Sequence, residues 1–361
     1  MRIALDAMGG DFAPDVTVAG ALEAVSEYDD IHVILTGDRQ KITESLKNWR
    51  YPSERISIYH ASEVVEMHES PTTALRRKKD SSIRKAVDLV KSGEADAAVS
   101  AGHSGVAMAT ALFVLGKLSN VDRPAIATMM PSLTGYFLLI DAGANVDCKP
   151  ENLLEFAHMG NAYYKAIFDI PSPRIAMLSI GEEDTKGNEL TKEAFKLLKN
   201  ADLNFTGNIE GKDIFSGNAD VIVCDGFIGN IVLKVSEGLA ETIMKMLKHE
   251  IANVTTGKLG YIMIKPAIKN FKKRTDYSEY GGAPLLGISG TCIISHGRSS
   301  ARAIKNAIRV AGEMAKKKVH EIIANALKEH CPFRTQTKDD LHSNREFEGQ
   351  SPSKDISYVK S

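Results

Sequence analysis

The residues best suited to chemistry lie where apolar runs stop. The first such place is Asp6-Ala7-Met8-Gly9-Gly10-Asp11, between an apolar strand pattern at 2–7 and a helix that Pro14 or Asp15 can start. A strand that halts at glycines and hands over to a helix N-terminus leaves backbone N–H groups unpaired, and these suit an anion. Asp6 and Asp11 on the rims oppose a bare anion. They fit better as groups that orient a neighbouring Lys, Arg or water, or that cap the helix. Four more strand ends have the same character: SAGHSG at 100–105 (Gly102, Ser104, Gly105), DAGANVD at 141–147, IGEEDTKGN at 180–188 (Asp184, Lys186, Gly187, Asn188) and CDGFIGN at 224–230 (Asp225, Gly226, Gly229, Asn230). A glycine-rich loop at 277–291 carries Gly281 and Gly282, and a strand then ends at His296-Gly297.

Short Ile/Val/Leu-rich runs alternate with helical patterns along the chain, which predicts a largely parallel sheet covered on both faces. Ligands of such sheets sit beyond the carboxyl ends of the strands, so the five glycine turns are expected to meet at one edge. Residues 70–92 read as one helix opened by Ser70-Pro71, with the run Arg76-Arg77-Lys78-Lys79 as a solvated face or a contact for an acidic partner or phosphate. The neighbouring runs 125–130 and 136–140 read as strands, 229–249 as a long helix, and residues from 299 or 300 to about 330 as a closing helix. Residues 334–361 are polar and poor in aliphatics, and a disordered tail is expected there.

A chain of 361 residues can bury a substantial core, and 1–333 is read as a single α/β/α catalytic domain. The net charge of −1 gives no global reason to expect nucleic acid. Cys148, Cys224, Cys292 and Cys331 are far apart and lack ligand spacing, so they read as reduced thiols of a cytoplasmic protein. No apolar run has the ~18–20 residues of a spanning helix, and no signal peptide is visible. Dinucleotide, P-loop, zinc-protease and nucleophile-elbow motifs are absent, so neither a metal nor a cofactor is indicated. Residues 251–275 have no acidic side chain and interleave six Lys or Arg with apolar residues. This basic–apolar arm, interrupted by Pro266, reads as a helical hairpin at a membrane interface or as a dimer arm.

Six runs occur together in a recognisable order: DAMGGD (6–11), RRKKDSS (76–82), DAGANVDxKPE (141–151), GxEDxKGNELTK (181–192), DGFxGN (225–230) and YSxYGGAxLxG (277–287). Through them the chain resembles the bacterial phosphate acyltransferase family from residue 1 to about 330. The resemblance implies transfer of a long-chain fatty acyl group from acyl carrier protein to inorganic phosphate, without a cofactor. It also implies a fold similar to phosphate acetyltransferases and isocitrate/isopropylmalate dehydrogenases, a homodimer, and peripheral association with the inner face of the membrane. There the acyl phosphate product would reach a glycerol-3-phosphate acyltransferase.

That reaction needs a cation for phosphate, a donor for the thioester oxyanion and little acid help for a thiol leaving group of pKa near ~8.5. Lys186 is the candidate cation, or else an exposed loop lysine in a salt bridge. Asn230 is the candidate donor, or else a helix N-cap. His296 either aids proton transfer or supports a turn. The glycines and polar residues of the strand ends named above, with Asp6 and Asp11, form the candidate substrate-binding set. The family's SAGNTG reads SAGHSG here, which puts an Asn role at His103 in question. Alternative readings are a phosphate acetyltransferase using acyl-CoA, a decarboxylating dehydrogenase needing NAD and a divalent metal, and a non-enzymatic acyl-carrier-binding scaffold.

Overall fold

The computed structural model describes residues 1–66, 68–254, 257–275 and 279–330. Its first part alternates strand and helix: β1 (Arg2–Asp6), α1 (Asp15–Glu27), β2 (His32–Gly37), α2 (Arg39–Leu46), β3 (Ile56–His60), α3 (Pro71–Arg77), α4 (Ser82–Lys91), β4 (Ala97–Ser100) and α5 (Ser104–Leu115). A hairpin of β5 (Ala125–Pro131) and β6 (Tyr136–Ile140) leads into α6 (Pro150–Phe168), β7 (Ile175–Ser179), α7 (Glu189–Lys199), β8 (Phe205–Glu210) and β9 (Val221–Val223). A long helix, α8 (Gly226–Asn253), is followed by α9 (Gly257–Thr275), β10 (Ala283–Leu286), β11 (Cys292–Ile294), α10 (Ala301–Lys316) and α11 (Val319–His330).

The strands form one eleven-stranded sheet in the order β3-β2-β1-β4-β11-β10-β5-β6-β9-β7-β8. β4 is buried along its whole length and β1 everywhere except Arg2, as strands covered on both faces must be. Helices α1, α6, α7, α10 and α11 pack on one face of the sheet. Helices α3, α4 and α5 cover the other face of the first half, and Val232 of α8 packs on that face of the second half. The α/β/α layering is as expected.

The convergence of five turns at one edge is not. Three neighbouring pairs, β11–β10, β10–β5 and β5–β6, are antiparallel, and the other pairs are parallel. Three reversals make β6, β9 and β7 run opposite to β1, β4 and β11. The turns after β1, β4 and β11 therefore leave at one rim of the sheet, here the first rim. Those after β6, β9 and β7 leave at the opposite, second rim. Antiparallel strands can be joined by a few residues, whereas parallel ones need a long crossover. The short link 132–135 fixes the last reversal, and the glycine loop at 277–291 contains the others because β10 lies inside it.

α8 starts at the second rim and its 28 residues span about 42 Å at 1.5 Å per residue. The five residues of β6 span only about 17 Å, so α8 overshoots the sheet. Its hairpin partner α9 returns to the first rim, where Arg274 donates to the carbonyls of Ser132 (3.2 Å) and Leu133 (3.3 Å). Pro266 lies inside α9 without dividing it, so the hairpin is made by α8 with α9 rather than within 251–275.

Two long helices expected from the sequence are each broken. Residues 78–81 separate α3 from α4: Lys78 Nζ turns to the Val64 carbonyl (2.6 Å), and the Asp80 carboxylate accepts from Ser62 N (2.8 Å) and Oγ (2.6 Å). Lys318, at a positive φ of 51°, separates α10 from α11. The tail at 334–361 lies outside the described residues.

Candidate active site

At the first rim the loops after β1, β4 and β11 interlock. Asp6 is 2 % exposed, and its carboxylate accepts from Ser100 Oγ (2.7 Å) and Met8 N (3.3 Å). Burial pushes its carboxyl above the ordinary range, and hydrogen bonds from Ser82 and Ser100 restrain the shift. A Cβ on Gly9 would lie 2.5 Å from Asp6 Oδ2, so only glycine lets the turn close over this carboxylate. Gly10, at φ +112°, packs on the Gly297 carbonyl, which also accepts from Asp11 N at 2.8 Å. Gly102 N donates to Ser100 Oγ (3.1 Å), and Ser104 and Gly105 form the first turn of α5. His103 is the N-cap of that helix, its Nδ1 accepting from Val106 N at 3.4 Å; histidine thus takes the capping place an asparagine would fill. Asp6, Gly9, Gly102 and His103 line a narrow cavity of about 10 Å³, room for one water. His296 is exposed and its Nδ1 accepts from Arg298 N (3.2 Å), a turn contact. Gly281 and Gly282, at φ +81° and +80°, pack on Asn306 and Ser295 beside the start of β10.

At the second rim, β6, β9 and β7 are neighbours, and their turns lie side by side. Asp141, fully buried, ends β6. Its Oδ1 accepts from the backbone N–H groups of Ile126 (3.1 Å), Gly143 (3.1 Å) and Ala144 (2.9 Å), and its Oδ2 from Asn145 N (2.7 Å) and Nδ2 (2.9 Å). Burial raises its carboxyl, and those donors oppose the rise. α8 begins directly on this turn. Its N-cap is Asp225, which accepts from Ile228 N at 2.9 Å, so Asn230 is not the cap and its amide is exposed one turn into the helix. Gly226 and Gly229 are the buried residues of α8 and touch the Asp141 turn with no space for a side chain. Gly143, at φ +137°, faces Asn230.

The loop after β7 carries Lys186. Its side chain is exposed and, among the described residues, has no carboxylate partner; Asp184 instead pairs with Lys199 of α7 at 2.9 Å. Asn188 is the N-cap of α7, accepting from Thr191 N at 2.9 Å. Gly187, at φ +111°, lies against Thr191 and Ser179. Among the described residues no cluster of His, Cys, Asp or Glu could hold a metal ion. Burial raises the thiols of Cys148, to about 11, and of Cys224 and Cys292, which leaves none of the three poised as a nucleophile. Cys331 lies outside the described residues.

A family model described as "Fatty acid synthesis protein" matches residues 1–322. A phosphate acyltransferase of Thermodesulfovibrio yellowstonii is 64% identical over 327 residues, 91% of this chain and 94% of the relative. Another from Geobacter sulfurreducens is 54% identical over the same shares. The chain belongs to the phosphate acyltransferase family. It is therefore an acyltransferase. Among solved structures, the EutD phosphotransacetylase from Staphylococcus aureus is similar at a TM-score of 0.58 and 17% identity, over 87% of this chain and 94% of that one. A phosphotransacetylase from Streptococcus pyogenes is similar at 0.56 and 20%, over 91% and 94%. At these identities the likeness establishes the fold.

In this phosphate acyltransferase chain the second rim brings together Lys186, Asn230, Asp184, Gly187, Asn188, Asp225, Gly226 and Gly229. The first rim holds Asp6, Gly9, Gly10, Asp11, Gly102, Ser104, Gly105, Gly281, Gly282 and His296. His296 does not join Lys186 and Asn230 within one chain, because the reversed strands deliver it to the other rim. Sequence reasoning missed Asp141 as a candidate in its own right. The signal was present: an Asp closing an apolar strand, followed by Ala-Gly-Ala-Asn, whose N–H groups need an acceptor.

Proposed function

We propose that this chain transfers a long-chain fatty acyl group from acyl carrier protein to inorganic phosphate, forming the acyl phosphate used in phospholipid synthesis. The observation that carries this reading is the delivery of Asn230 and the exposed Lys186 to one rim by the adjacent strands β9 and β7. A phosphate oxygen attacks the thioester carbonyl, the C–S bond of the tetrahedral intermediate breaks, and the thiolate leaves to take a proton from water. Lys186 holds the phosphate dianion and the N–H groups at the start of α7 add to its field. Asn230 donates to the developing oxyanion. No enzyme nucleophile is required, and His296 is assigned no step. Substrate contacts by the other glycine turns belong to the same proposal.

The working unit is a homodimer formed through the exposed apolar stripe of α8: Ile231, Val235, Leu239 and Ile243. The α8–α9 arm, with exposed Met263, Ile264 and Phe271 beside Lys265 and Lys269, meets anionic lipid head groups at the inner membrane surface. From there the product passes to a membrane glycerol-3-phosphate acyltransferase. Among the described residues no helix is long and apolar enough to cross a membrane.

The test is thiol release from a long-chain acyl-carrier-protein substrate with and without phosphate, for wild type and Lys186→Ala. Phosphate-dependent release that collapses at least about a hundredfold in the variant supports reaction and site. Release untouched by the substitution discards Lys186. No phosphate-dependent release discards the reaction in favour of a carrier-binding protein.

A further inference from the structure

We propose that Asp141 is a positioning residue: its carboxylate fixes the 142–145 turn and thereby holds the first turn of α8, so that Asn230 stands where the reacting carbonyl must be met. This rests on the reading of Asn230 given above.

The geometry runs as a chain of close contacts. Five N–H donors converge on the two Asp141 oxygens at 2.7–3.1 Å, three on Oδ1 and two on Oδ2. Asn145, clamped by two of them, also donates through Nδ2 to the Pro124 carbonyl at 2.8 Å and accepts from Gly226 N at 2.7 Å. Gly226 is the first residue of α8. A Cβ there would lie 2.7 Å from Asn145 N and from Asn145 O, and one on Gly229 would lie 1.8 Å from the Asp141 carbonyl oxygen. The helix thus rests directly on the turn, its glycines against the Asn145 backbone, the Asp141 carbonyl and the Asp141 carboxylate. A Cβ on Gly143, the centre of the same turn, would lie 3.4 Å from the Asn230 Cβ. Moving the turn moves the floor under Asn230.

A carboxylate is the group this nest needs, since every neighbour pointing at it is a donor. An asparagine at 141 has the same size but turns one acceptor into an NH2 that faces N–H groups. The isosteric change is therefore the disruptive one. Asp141 touches no reacting atom in this scheme and acts through Asn230.

The experiment is a double-mutant cycle in the full-length chain, reading phosphate-dependent thiol release, with thermal unfolding to verify folding. The variants are Asp141→Asn, Asn230→Ala and the pair. Asp141→Asn is expected to lower kcat by up to about a hundredfold, the effect of a ~1 Å misplacement, with KM for phosphate unchanged. Added to Asn230→Ala it is expected to cause no further loss, because its effect passes through that side chain. Losses that multiply, a change confined to KM, or a wild-type kcat in Asp141→Asn would each overturn the proposal. Should Asp141→Asn fail to fold, Asn145→Ala removes only the two bonds from Nδ2 and runs the same cycle, with a several-fold loss of kcat expected to vanish on the Asn230→Ala background. Wild-type protein without phosphate-dependent release would sink the underlying reaction instead, so the two failures are distinguishable.

Discussion

Replacing Gly229 by alanine puts a methyl group where the backbone leaves no room. The new Cβ would lie 1.8 Å from the Asp141 carbonyl oxygen, 2.9 Å from its carbon and 3.0 Å from Cys224 Sγ. A carbon ordinarily comes no closer to a carbonyl oxygen than ~3.3 Å, so one side must retreat by about 1.5 Å. The Asp141 side cannot: its carboxylate is buried among five donors, and its backbone N–H is bonded to the Cys224 carbonyl at 3.0 Å. α8 can, since Gly226 and Gly229 are its buried anchor points. The helix start should therefore lift, carrying Asn230 with it by ~1 Å, and kcat should fall by about a hundredfold.

Stability has two opposing contributions. Overpacking costs about 1–3 kcal/mol, and alanine is favoured over glycine in a helix by about 1 kcal/mol. The net expectation is a loss of roughly 0–2 kcal/mol by urea unfolding, too small to explain the kinetic loss by unfolding. Gly312→Ala is the matched control. It lies within α10, where its Cβ would meet Ile31 Cδ1 at an ordinary 3.5 Å. It should keep wild-type kcat and gain up to about 1 kcal/mol. A Gly229→Ala enzyme with wild-type kcat would refute the argument that α8 is seated by backbone contact.

Asp220→Asn should cost about 1.5–3 kcal/mol at pH 7, because Asp220 accepts from Arg174 Nε (3.0 Å), Nη2 (2.9 Å) and backbone N (2.8 Å). Burial pushes this carboxyl up, but the Arg174 bonds hold it below its ordinary value. Its stabilisation is therefore present above the unfolded pKa near ~3.9 and declines as the pH falls below it. Urea midpoints at pH 7 and in acid must show the wild-type advantage shrinking. The pair Val235→Lys and Leu239→Lys, in the exposed stripe of α8, should convert the proposed dimer to monomer in sedimentation equilibrium; a monomeric wild type would end that proposal. Met263→Glu and Phe271→Glu in α9 should each weaken binding to anionic vesicles by about tenfold while leaving thiol release in solution intact. Equal vesicle binding by variant and wild type would remove the arm from the membrane.

Much of the layering could be read directly. The buried runs of β1, β4, β7 and β9 and the amphipathic α10 are local properties, and each lies where its pattern puts it. Strand direction is not local, and it decided which site residues meet. Two signs of reversal were nevertheless available. The link 132–135 is too short for a crossover, so β5 and β6 had to be antiparallel. The other sign was fainter: β10 is four residues long, contains Pro284 and sits between glycines at 282 and 287, so its composition reads as loop. Its pairing is supplied by β5 and β11, at a sequence distance no local pattern carries. The breaks at 78–81 and at Lys318 involve contacts of the same non-local kind: Lys78 is held by the Val64 carbonyl, and Lys317, beside Lys318, by the Ala166 carbonyl at 2.7 Å.

The reversal also accounts for the two different surfaces of α8. Because β9 ends at the second rim, the helix after it must cross the sheet to rejoin β10 at the first rim, and its opening turn has to fit against the turn closing β6. Glycine at 226 and 229 meets that demand, and Asn230 is the first polar side chain past the seat. Farther along, the helix outruns the sheet, and Val235, Leu239 and Ile243 are exposed on it among the described residues. In the proposed reading the glycine seat and Asn230 open the helix, and the association stripe begins beside them at Ile231 and runs on through Ile243. Substitutions in the stripe should change association while sparing the seat, and Gly229→Ala should do the reverse.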